Sequence, residues 1–480
     1  MKTAATVSLI GVLAAALAAD GAETVTVDFS RETGAVKELH GVNNAPVRVW
    51  EGLRQWELGD AGVPYVRTHD TAGMYGGAHF VDVPNVFPDF DADENDPKSY
   101  DFALTDAFLK PVVAAGARVY YRLGVTIESY YAIKSYNIAP PKDFAKWARI
   151  CEHIVRHYNE GWADGFKWDI PYWEIWGEPE NPPLWAGTKE QYFELYRITA
   201  NHLKRCFPTI KVGGYGSCGL YAIDDPKASD QQKGFVTFLD EFLAYVTDPK
   251  TKAPLDFFSW HLYFFDTAAR LTTHADYVRQ RLDKYGLQAT ESHLNEWNRV
   301  GPKWNEYDEM KEMPGAACVG EAFCRMQNGP VDKAMYYDAM PSRRYCGLFY
   351  FPSGRRTPTY WTFWLWNRLF ACGRAVAVTA PTGRGLEVVA ASGRGRKAVF
   401  AVNDSAETRT LDFRLPKADW RIRLLDATYD PKTEKPPEAR AFDPAKPVVL
   451  PARSVLLIDT GAEPRASDRG VEKKIFAGQG

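Results

Sequence analysis

The chain has 480 residues, which is enough for one large domain and a second, smaller one. Its 45% hydrophobic and 25% charged residues are ordinary values for a soluble globular protein. A net charge of -3, with no Lys/Arg-rich run, argues against a nucleic-acid partner.

The first residues have the layout of a secretory signal peptide. The apolar run Val7–Leu17 follows Lys2 and ends in small residues, which is typical of a leader that is removed on export. This run is too short to span a membrane, and no later segment is long enough. We therefore predict a signal peptide over residues 1–22 and a secreted or periplasmic protein.

Residues 38–370 alternate between strand-like apolar runs and helical patterns. The predicted strands are Leu39–Asn43, Val63–Thr68, Ala117–Gly124, Pro171–Trp176, Ile210–Gly214, Leu255–Leu262, Leu287–Trp297 and Ala334–Asp338. The helical patterns between them include Phe102–Ala115, Lys142–Tyr158, Lys189–Cys206, Gly234–Val246 and Ala275–Tyr285. The strands are almost continuously apolar, as strands buried on both faces must be. Eight such units predict an α/β fold, a (β/α)8 TIM barrel.

The pattern changes to shorter, alternating strands after Ala371. They are predicted at Leu386–Ala391, Lys397–Asn403, Thr410–Leu415, Trp420–Asp426 and Val448–Asp459, with a similar run at Thr24–Ser30. Gly, Pro, Asn and Asp turns separate these runs, which predicts a small antiparallel β-sandwich from residues 24–37 and 371–460. The polar residues 461–480 are predicted to form a flexible tail.

Polar side chains follow the carboxyl ends of the predicted barrel strands. They are Asn43, His69, Glu128, Glu178, His261 and Glu296. Barrel enzymes carry their chemistry on this face. The sequence therefore predicts an active site at the carboxyl end of the barrel.

Two of these residues, Glu178 and Glu296, make the pair of carboxyls that cleavage of a glycosidic bond requires. Glu178 precedes Pro179 and lies among tryptophans, surroundings that raise a carboxyl pKa and favour a general acid. Glu296 lies between amide side chains that can stabilise a carboxylate, which favours the nucleophile. A retaining mechanism requires the two carboxyls to lie about 5–5.5 Å apart, and a separation beyond about 6.5 Å would exclude it.

The spans HGVNN, YVRTHD, RLGVTIES, YWEIWGEPEN, FFSWHLY and LNEWN occur in this order within residues 39–370. They resemble glycoside hydrolase family 39, the β-xylosidase and α-L-iduronidase group of clan A retaining hydrolases. The resemblance implies a barrel with an attached β-sandwich, Glu178 as acid/base and Glu296 as nucleophile. It also implies sugar-hydroxyl contacts from His69, His261 and Tyr263.

An oligo- or polysaccharide is the expected partner, and β-D-xylosides are the expected substrates by resemblance. We also expect sugar contacts from four residues near the carboxyls: Asn43, Trp176, Asn181 and Trp297. The long loops 72–98 and 298–314 favour a closed pocket and exo action, with an endo-acting open cleft as the alternative.

One position departs from the resemblance. The family pattern has Asn before the acid/base glutamate, where this chain has Gly177. That Asn is implied to bond the sugar's 2-hydroxyl, so three interpretations stay open: weak activity, a different group at the 2-position, or replacement by Asn181, His69 or His261. Gly177 also leaves open a non-catalytic carbohydrate-binding protein on a decayed glycosidase scaffold.

We predict no cofactor and no metal. His153 and His157 have metal-ligand spacing on a predicted helix, but no third ligand is evident and a solvated helix face explains them. Of the seven cysteines, Cys206 and Cys218 flank a predicted strand, and their pairing stays open. By resemblance an oligomer is possible, although nothing in the sequence marks an interface.

Overall fold

The computed structural model describes residues 21–45, 47–48, 52–53, 56–69, 80–126, 136–264, 268–300, 307–341, 347–381, 383 and 385–461. Residues 1–20 of the predicted signal peptide, residues 462–480 of the predicted tail, and Glu128 lie outside this part of the chain. No helix within it is both long and apolar enough to cross a membrane.

The strands, numbered in chain order, are β1 Glu23–Ala35, β2 Glu38–Asn43, β3 Val47–Arg48, β4 Gly52–Leu53, β5 Tyr65–Arg67, β6 Arg118–Leu123, β7 Tyr172–Ile175, β8 Lys211–Ser217, β9 Phe257–Phe264, β10 Glu291–Arg299, β11 Lys333–Tyr336, β12 Arg374–Thr379, β13 Leu386–Gly393, β14 Arg396–Asn403, β15 Arg409–Arg414, β16 Arg421–Leu425, β17 Arg440–Ala441, β18 Val448–Leu450 and β19 Ser454–Asp459. The α-helices are α1 Trp56–Ala61, α2 Val83–Val86, α3 Ala103–Ala114, α4 Phe144–Asn159, α5 Lys189–Cys206, α6 Asp230–Thr247, α7 Ala269–Lys284, α8 Tyr307–Met310, α9 Met313–Asn328 and α10 Pro358–Phe370.

Eight parallel strands form a closed barrel in the order β2-β5-β6-β7-β8-β9-β10-β11. The predicted TIM barrel is therefore confirmed, and each of its eight predicted strands overlaps an observed one. Strand β7 shows why these strands are apolar throughout, because all four of its residues are buried. The largest difference in bounds is at the seventh barrel strand, which begins at Glu291 instead of Leu287, because residues 287–290 form a turn that follows α7.

The remaining chain forms a nine-stranded sheet in the order β17-β16-β19-β14-β13-β12-β1-β15-β18. Most of its pairs are antiparallel, but β1 pairs with β15 in parallel. The strand predicted over Val448–Asp459 is wrong in one respect, since β18 and β19 are separate strands. Arg453 between them has φ of 50°, in the left-handed region, and this breaks the extended backbone.

Two helices, α9 and α10, join the barrel to this sheet, and the sequence analysis does not identify α10. Trp366 of α10 packs edge-on against Phe400 of β14, with ring centroids 5.2 Å apart. Gly320 of α9 lies against Val402, where a Cβ would come within 2.8 Å of a methyl group. Both helices are buried on almost every side, so their sequences lack the polar face that marks a surface helix.

Candidate active site

The inside of the barrel is arranged in layers that become more polar toward the carboxyl ends of the strands. An apolar layer of four aromatic rings and one methionine lies at the other end, formed by Tyr65, Tyr120, Tyr172, Phe257 and Met335. Above it lies a buried charged layer that contains Arg67 and Glu174. The carboxyl pair, Glu178 and Glu296, lies above that, with side chains only 12% and 8% exposed.

A tight turn at the end of β7 places Glu178 in the barrel mouth. Trp176 has φ of 70° and Glu178 has φ of 50°, both in the left-handed region that side chains rarely adopt. The backbone N–H of Glu178 donates to the carbonyls of Tyr215 (3.1 Å) and Gly216 (2.9 Å), which anchors the turn to β8. Such backbone strain is tolerated mainly where function requires a particular side-chain position.

The Glu178 carboxylate is held by one imidazole and one amide. Its Oε1 lies 2.7 Å from Nδ1 of His261, and its Oε2 accepts from Nδ2 of Asn181 at 3.1 Å. Burial raises the pKa of Glu178, but the hydrogen bond and charge of His261, together with hydrogen bonds from Asn181 and Cys218, lower it by more, so the net shift is downward. Burial lowers the pKa of His261, and the charge of Glu296 with the hydrogen bond and charge of Glu178 raise it by more. Each group therefore favours the charged form of the other.

The predicted upward pKa shift of Glu178 is wrong in direction in the ligand-free protein. The prediction rested on the aromatic shell, but Trp176 is fully buried on the outer side of the barrel. Its indole N–H donates to the carbonyl of Leu184 at 2.9 Å, and its ring packs edge-on against Trp185 with centroids 5.0 Å apart. The Glu178 side chain instead faces polar groups in the barrel mouth.

A β-bulge in β10 directs Glu296 into the same mouth. The pairing of β10 with β9 shifts by one residue between Leu294 and Glu296, so Asn295 is the extra residue. Leu294 packs in the outer core, whereas the side chains of Asn295 and Glu296 both reach the barrel interior. Bulges are common beside active sites because they redirect a side chain.

Three donors surround the Glu296 carboxylate. The Tyr263 hydroxyl donates to Oε1 at 2.7 Å, and Nη1 of Arg67 donates to Oε2 at 3.1 Å. Nε2 of His69 lies 3.3 Å from the same Oε2. The hydroxyl and the guanidinium place two hydrogen-bond donors on the Glu296 carboxylate, which suits a nucleophile.

The two carboxyls are close enough to act on one carbon atom. A carboxyl oxygen of Glu178, a ring nitrogen of His261 and a carboxyl oxygen of Glu296 all lie within 4.8 Å of one another. The nearest oxygens of the two carboxyls are therefore closer than the roughly 6.5 Å between carboxyl groups at which an inverting arrangement begins. The same three groups have metal-ligand chemistry, but the Arg67 guanidinium already neutralises charge beside Glu296.

A buried ion pair supports the floor of the site, and the sequence analysis does not assign it a role. Glu174 accepts from Nε of Arg67 (2.7 Å), Oγ of Ser259 (2.6 Å) and Nδ2 of Asn295 (2.7 Å). Burial raises the pKa of Glu174, but the charge and hydrogen bond of Arg67, with the Ser259 hydrogen bond and the His261 charge, more than offset it, so the net shift is downward. A glutamate inside the otherwise apolar run YWEIW was the available signal, because such residues are rarely buried without a partner.

Of the other residues predicted to contact sugar, one lies at the carboxyl pair and two lie away from it. Asn181 lies at the carboxyl pair, as described above, whereas Asn43 lies beneath it, bonded to the backbone carbonyls of Asn295 (2.9 Å) and Met335 (3.1 Å). Trp297 is fully buried in the outer core, where its ring packs edge-on against Tyr336 with centroids 5.1 Å apart.

One further residue near Glu178, Glu180, was not identified from sequence. Burial raises the pKa of Glu180 to about 8, although backbone and Ser217 hydrogen bonds oppose the shift. Its Oε1 accepts from the backbone N–H of Cys218 at 2.8 Å, which ties the loops after β7 and β8 together. Cys206 and Cys218, whose pairing was left open, are both free thiols.

The sequence also matches known proteins. The model for glycosyl hydrolases family 39 matches residues 50–314, which is more than half of the chain. A β-xylosidase of Geobacillus stearothermophilus is 29% identical over 167 residues, which are 34% of this chain and 28% of that enzyme. A β-xylosidase of Caldicellulosiruptor saccharolyticus is 32% identical over 135 residues, 28% of this chain and 23% of that enzyme. The matched region thus spans less than a third of either relative.

The fold is also that of known proteins. The crystal structure of a glucosidase from Croceicoccus marinus superposes with a TM-score of 0.73 at 23% identity, covering 92% of this chain and all of that one. This similarity concerns the fold alone, whereas the family match also covers the strand ends that carry the carboxyl pair. The chain belongs to glycosyl hydrolases family 39.

Proposed function

We propose that the protein is a retaining glycoside hydrolase that releases single sugars from the non-reducing ends of glycosides. The observation that carries this proposal is the carboxyl pair, whose oxygens lie within 4.8 Å of each other at the carboxyl end of the barrel. Such a pair allows one carboxyl to protonate the leaving oxygen while the other attacks from the opposite face of the sugar.

In the first step Glu178 gives its proton to the glycosidic oxygen, and the bond from that oxygen to the anomeric carbon breaks. Glu296 attacks the anomeric carbon and forms a covalent glycosyl ester. In the second step Glu178, now ionised, takes a proton from water, whose oxygen attacks the anomeric carbon and releases Glu296. Two inversions give net retention, and both glutamates return to their starting states.

The neighbouring residues suit these roles. Tyr263 and Arg67 donate to Glu296 and stabilise it as the carboxylate that attacks. His261 lies 2.7 Å from Glu178, the group that delivers the proton. Asn181 orients the other oxygen of Glu178.

We propose β-D-xylosides as substrates, supported by the similarity to two β-xylosidases. The test measures hydrolysis of 4-nitrophenyl xyloside, arabinoside, galactoside, glucoside and iduronide, with Glu296→Ala as the blank. We expect the xyloside to be hydrolysed fastest and proton NMR to show β-xylose as the first product. α-Xylose as the first product would contradict retention. If none of these substrates is hydrolysed, the result would favour the non-catalytic carbohydrate-binding protein.

We also propose that the protein is exported, on the basis of the leader pattern in residues 1–22. Expression of the full chain in a Gram-negative bacterial host, followed by N-terminal sequencing of the periplasmic and cytoplasmic fractions, tests this. We expect a periplasmic product that starts between Asp20 and Glu23. An uncleaved chain that stays in the cytoplasm would contradict export.

A further inference from the structure

Three side chains of metal-binding type meet between helices α4 and α5, outside the site described above. His202 and Cys206 lie one helical turn apart on α5, and Glu152 of α4 faces them. One ligand atom from each residue, a carboxylate oxygen, an imidazole nitrogen and the sulfur, lies within 4.8 Å of the other two. All three residues are half-buried, so an ion from solvent can reach the cluster.

The ligand atoms lie close to the spacing that zinc requires. Tetrahedral zinc, with bonds of about 2.0–2.3 Å, places neighbouring ligand atoms roughly 3.3–3.6 Å apart. Oε2 of Glu152 lies 2.5 Å from Nε2 of His202, and Sγ of Cys206 lies 3.8 Å from the same nitrogen. Small side-chain rotations, which move the oxygen outward by about 1 Å and the sulfur inward by a few tenths of that, give the zinc spacing.

The carboxylate of Glu152 is already oriented for this role. Nε and Nη2 of Arg156 lie 2.8 Å and 2.7 Å from its Oε1, which leaves Oε2 directed at His202. Carboxylates that bind metals are usually held in this way by a partner that does not itself contact the ion. Arg156 also pairs with Glu160, so its own charge is balanced from the far side of the cluster.

Arg205 is the group that opposes a cation here. A guanidinium only donates, so its Nη2, 2.7 Å from Nδ1 of His202, keeps the imidazole proton on Nε2 in the metal-free protein. A zinc ion on Nε2 requires that proton to move to Nδ1 and the guanidinium to move away. Arg205 is exposed, so its side chain can turn into solvent.

We propose that Glu152, His202 and Cys206 form a zinc site with one further position for water. Bonds form from the ion to Oε2, Nε2 and Sγ, and the thiol proton passes to solvent. The ion joins α4 to α5 on the outside of the barrel. Cys206 ends α5 shortly before β8 begins, which places the site toward the amino ends of the strands, away from the carboxyl pair. Sequence spacing does not reveal it, because Glu152 lies 50 residues before His202.

The test uses Co²⁺, which takes the place of Zn²⁺ and reports its ligands. Added to the fully reduced protein, Co²⁺ should give a thiolate-to-cobalt charge-transfer band in the near ultraviolet, and Zn²⁺ should remove the band by displacement. Cys206→Ser should lose the band. The affinity for Zn²⁺ should fall at least about tenfold in Cys206→Ser and in Glu152→Gln. Arg205→Ala should bind Zn²⁺ a few-fold more tightly, the scale of one surface charge.

The matched control is Cys218→Ser, which removes a second half-buried free thiol. Cys218 lies 3.6 Å from Nδ2 of Asn181 at the carboxyl pair, where the other group of metal-binding side chains lies. This variant should keep the band, and Zn²⁺ should raise its Tm and that of the wild type but not that of Cys206→Ser. A band lost in Cys218→Ser and kept in Cys206→Ser would place the ion at the barrel mouth and overturn the inference. Absence of the band in the wild type, or a Zn²⁺ affinity that Cys206→Ser leaves unchanged, would also overturn it.

Discussion

The two carboxyls at the barrel mouth are held in different ways, and the difference supports the roles proposed for them. Glu178 is in contact with a titratable group, the His261 imidazole, at 2.7 Å. Glu296 is in contact with a phenol and a permanently charged guanidinium. The first arrangement can give up and recover a proton, whereas the second stabilises a negative charge. In the proposed mechanism the same residue type therefore serves as acid/base at one strand end and as nucleophile at the other.

The strongest test of this difference is removal of the nucleophile. Glu296→Ala should lower kcat on 4-nitrophenyl β-xyloside by a factor on the order of 10⁴ or more, because no covalent intermediate can form. Sodium azide should restore turnover and give an α-glycosyl azide, since a small anion then attacks from the vacated side. A β-glycosyl azide would reverse the two assignments.

The acid/base role predicts a loss that depends on the leaving group. Glu178→Ala should lower kcat/KM by about 10²–10⁴ on xylobiose, whose leaving oxygen needs a proton. With 2,4-dinitrophenyl xyloside, which leaves without protonation, bond cleavage should be nearly unaffected and the covalent intermediate should accumulate. Equal losses on both substrates would show that Glu178 does not act as the acid.

Much of this site is visible in the sequence because it depends on local pattern. Strand ends in a parallel barrel meet on one face, so Glu178, Glu296 and His261 were identified from their positions after apolar runs. The position of Trp176 on the outer side of the barrel could not be predicted from the sequence. In strands buried on both faces, the sequence pattern does not show which side chains point inward. The bulge at Asn295 arises from the way in which β10 pairs with β9. The sequence of one strand does not encode that pairing.

The buried ion pair between Arg67 and Glu174 should contribute more to stability than an ion pair on the protein surface. Glu174→Gln leaves Arg67 in the barrel floor with one carboxylate fewer, so we expect about 3–5 kcal/mol less stability toward urea unfolding. The matched control is Asp91→Asn, whose partner Lys142 lies 2.9 Å away with both side chains 73% exposed. That pair should contribute little to stability, because water screens both charges. Equal effects would show that the Glu174 charge does not stabilise the barrel.

The smallest expected effect is a displacement of the pH profile. His261 lowers the pKa of Glu178, and burial acts in the opposite direction, so in His261→Gln the pKa of Glu178 should rise. Catalysis needs Glu178 protonated, and the basic limb of kcat/KM reports that proton in the free enzyme. The basic limb should therefore move to higher pH, even if the maximum rate falls.

The matched control for this shift is His153→Gln, on helix α4, where the ring nitrogen Nδ1 lies 2.9 Å from the carbonyl of Arg149. It should leave the pH profile of the xyloside reaction unchanged. A basic limb that moves to lower pH in His261→Gln would mean that the imidazole helps Glu178 to keep its proton. The contrast between the two carboxyls would then rest on Tyr263 and Arg67 at Glu296 alone.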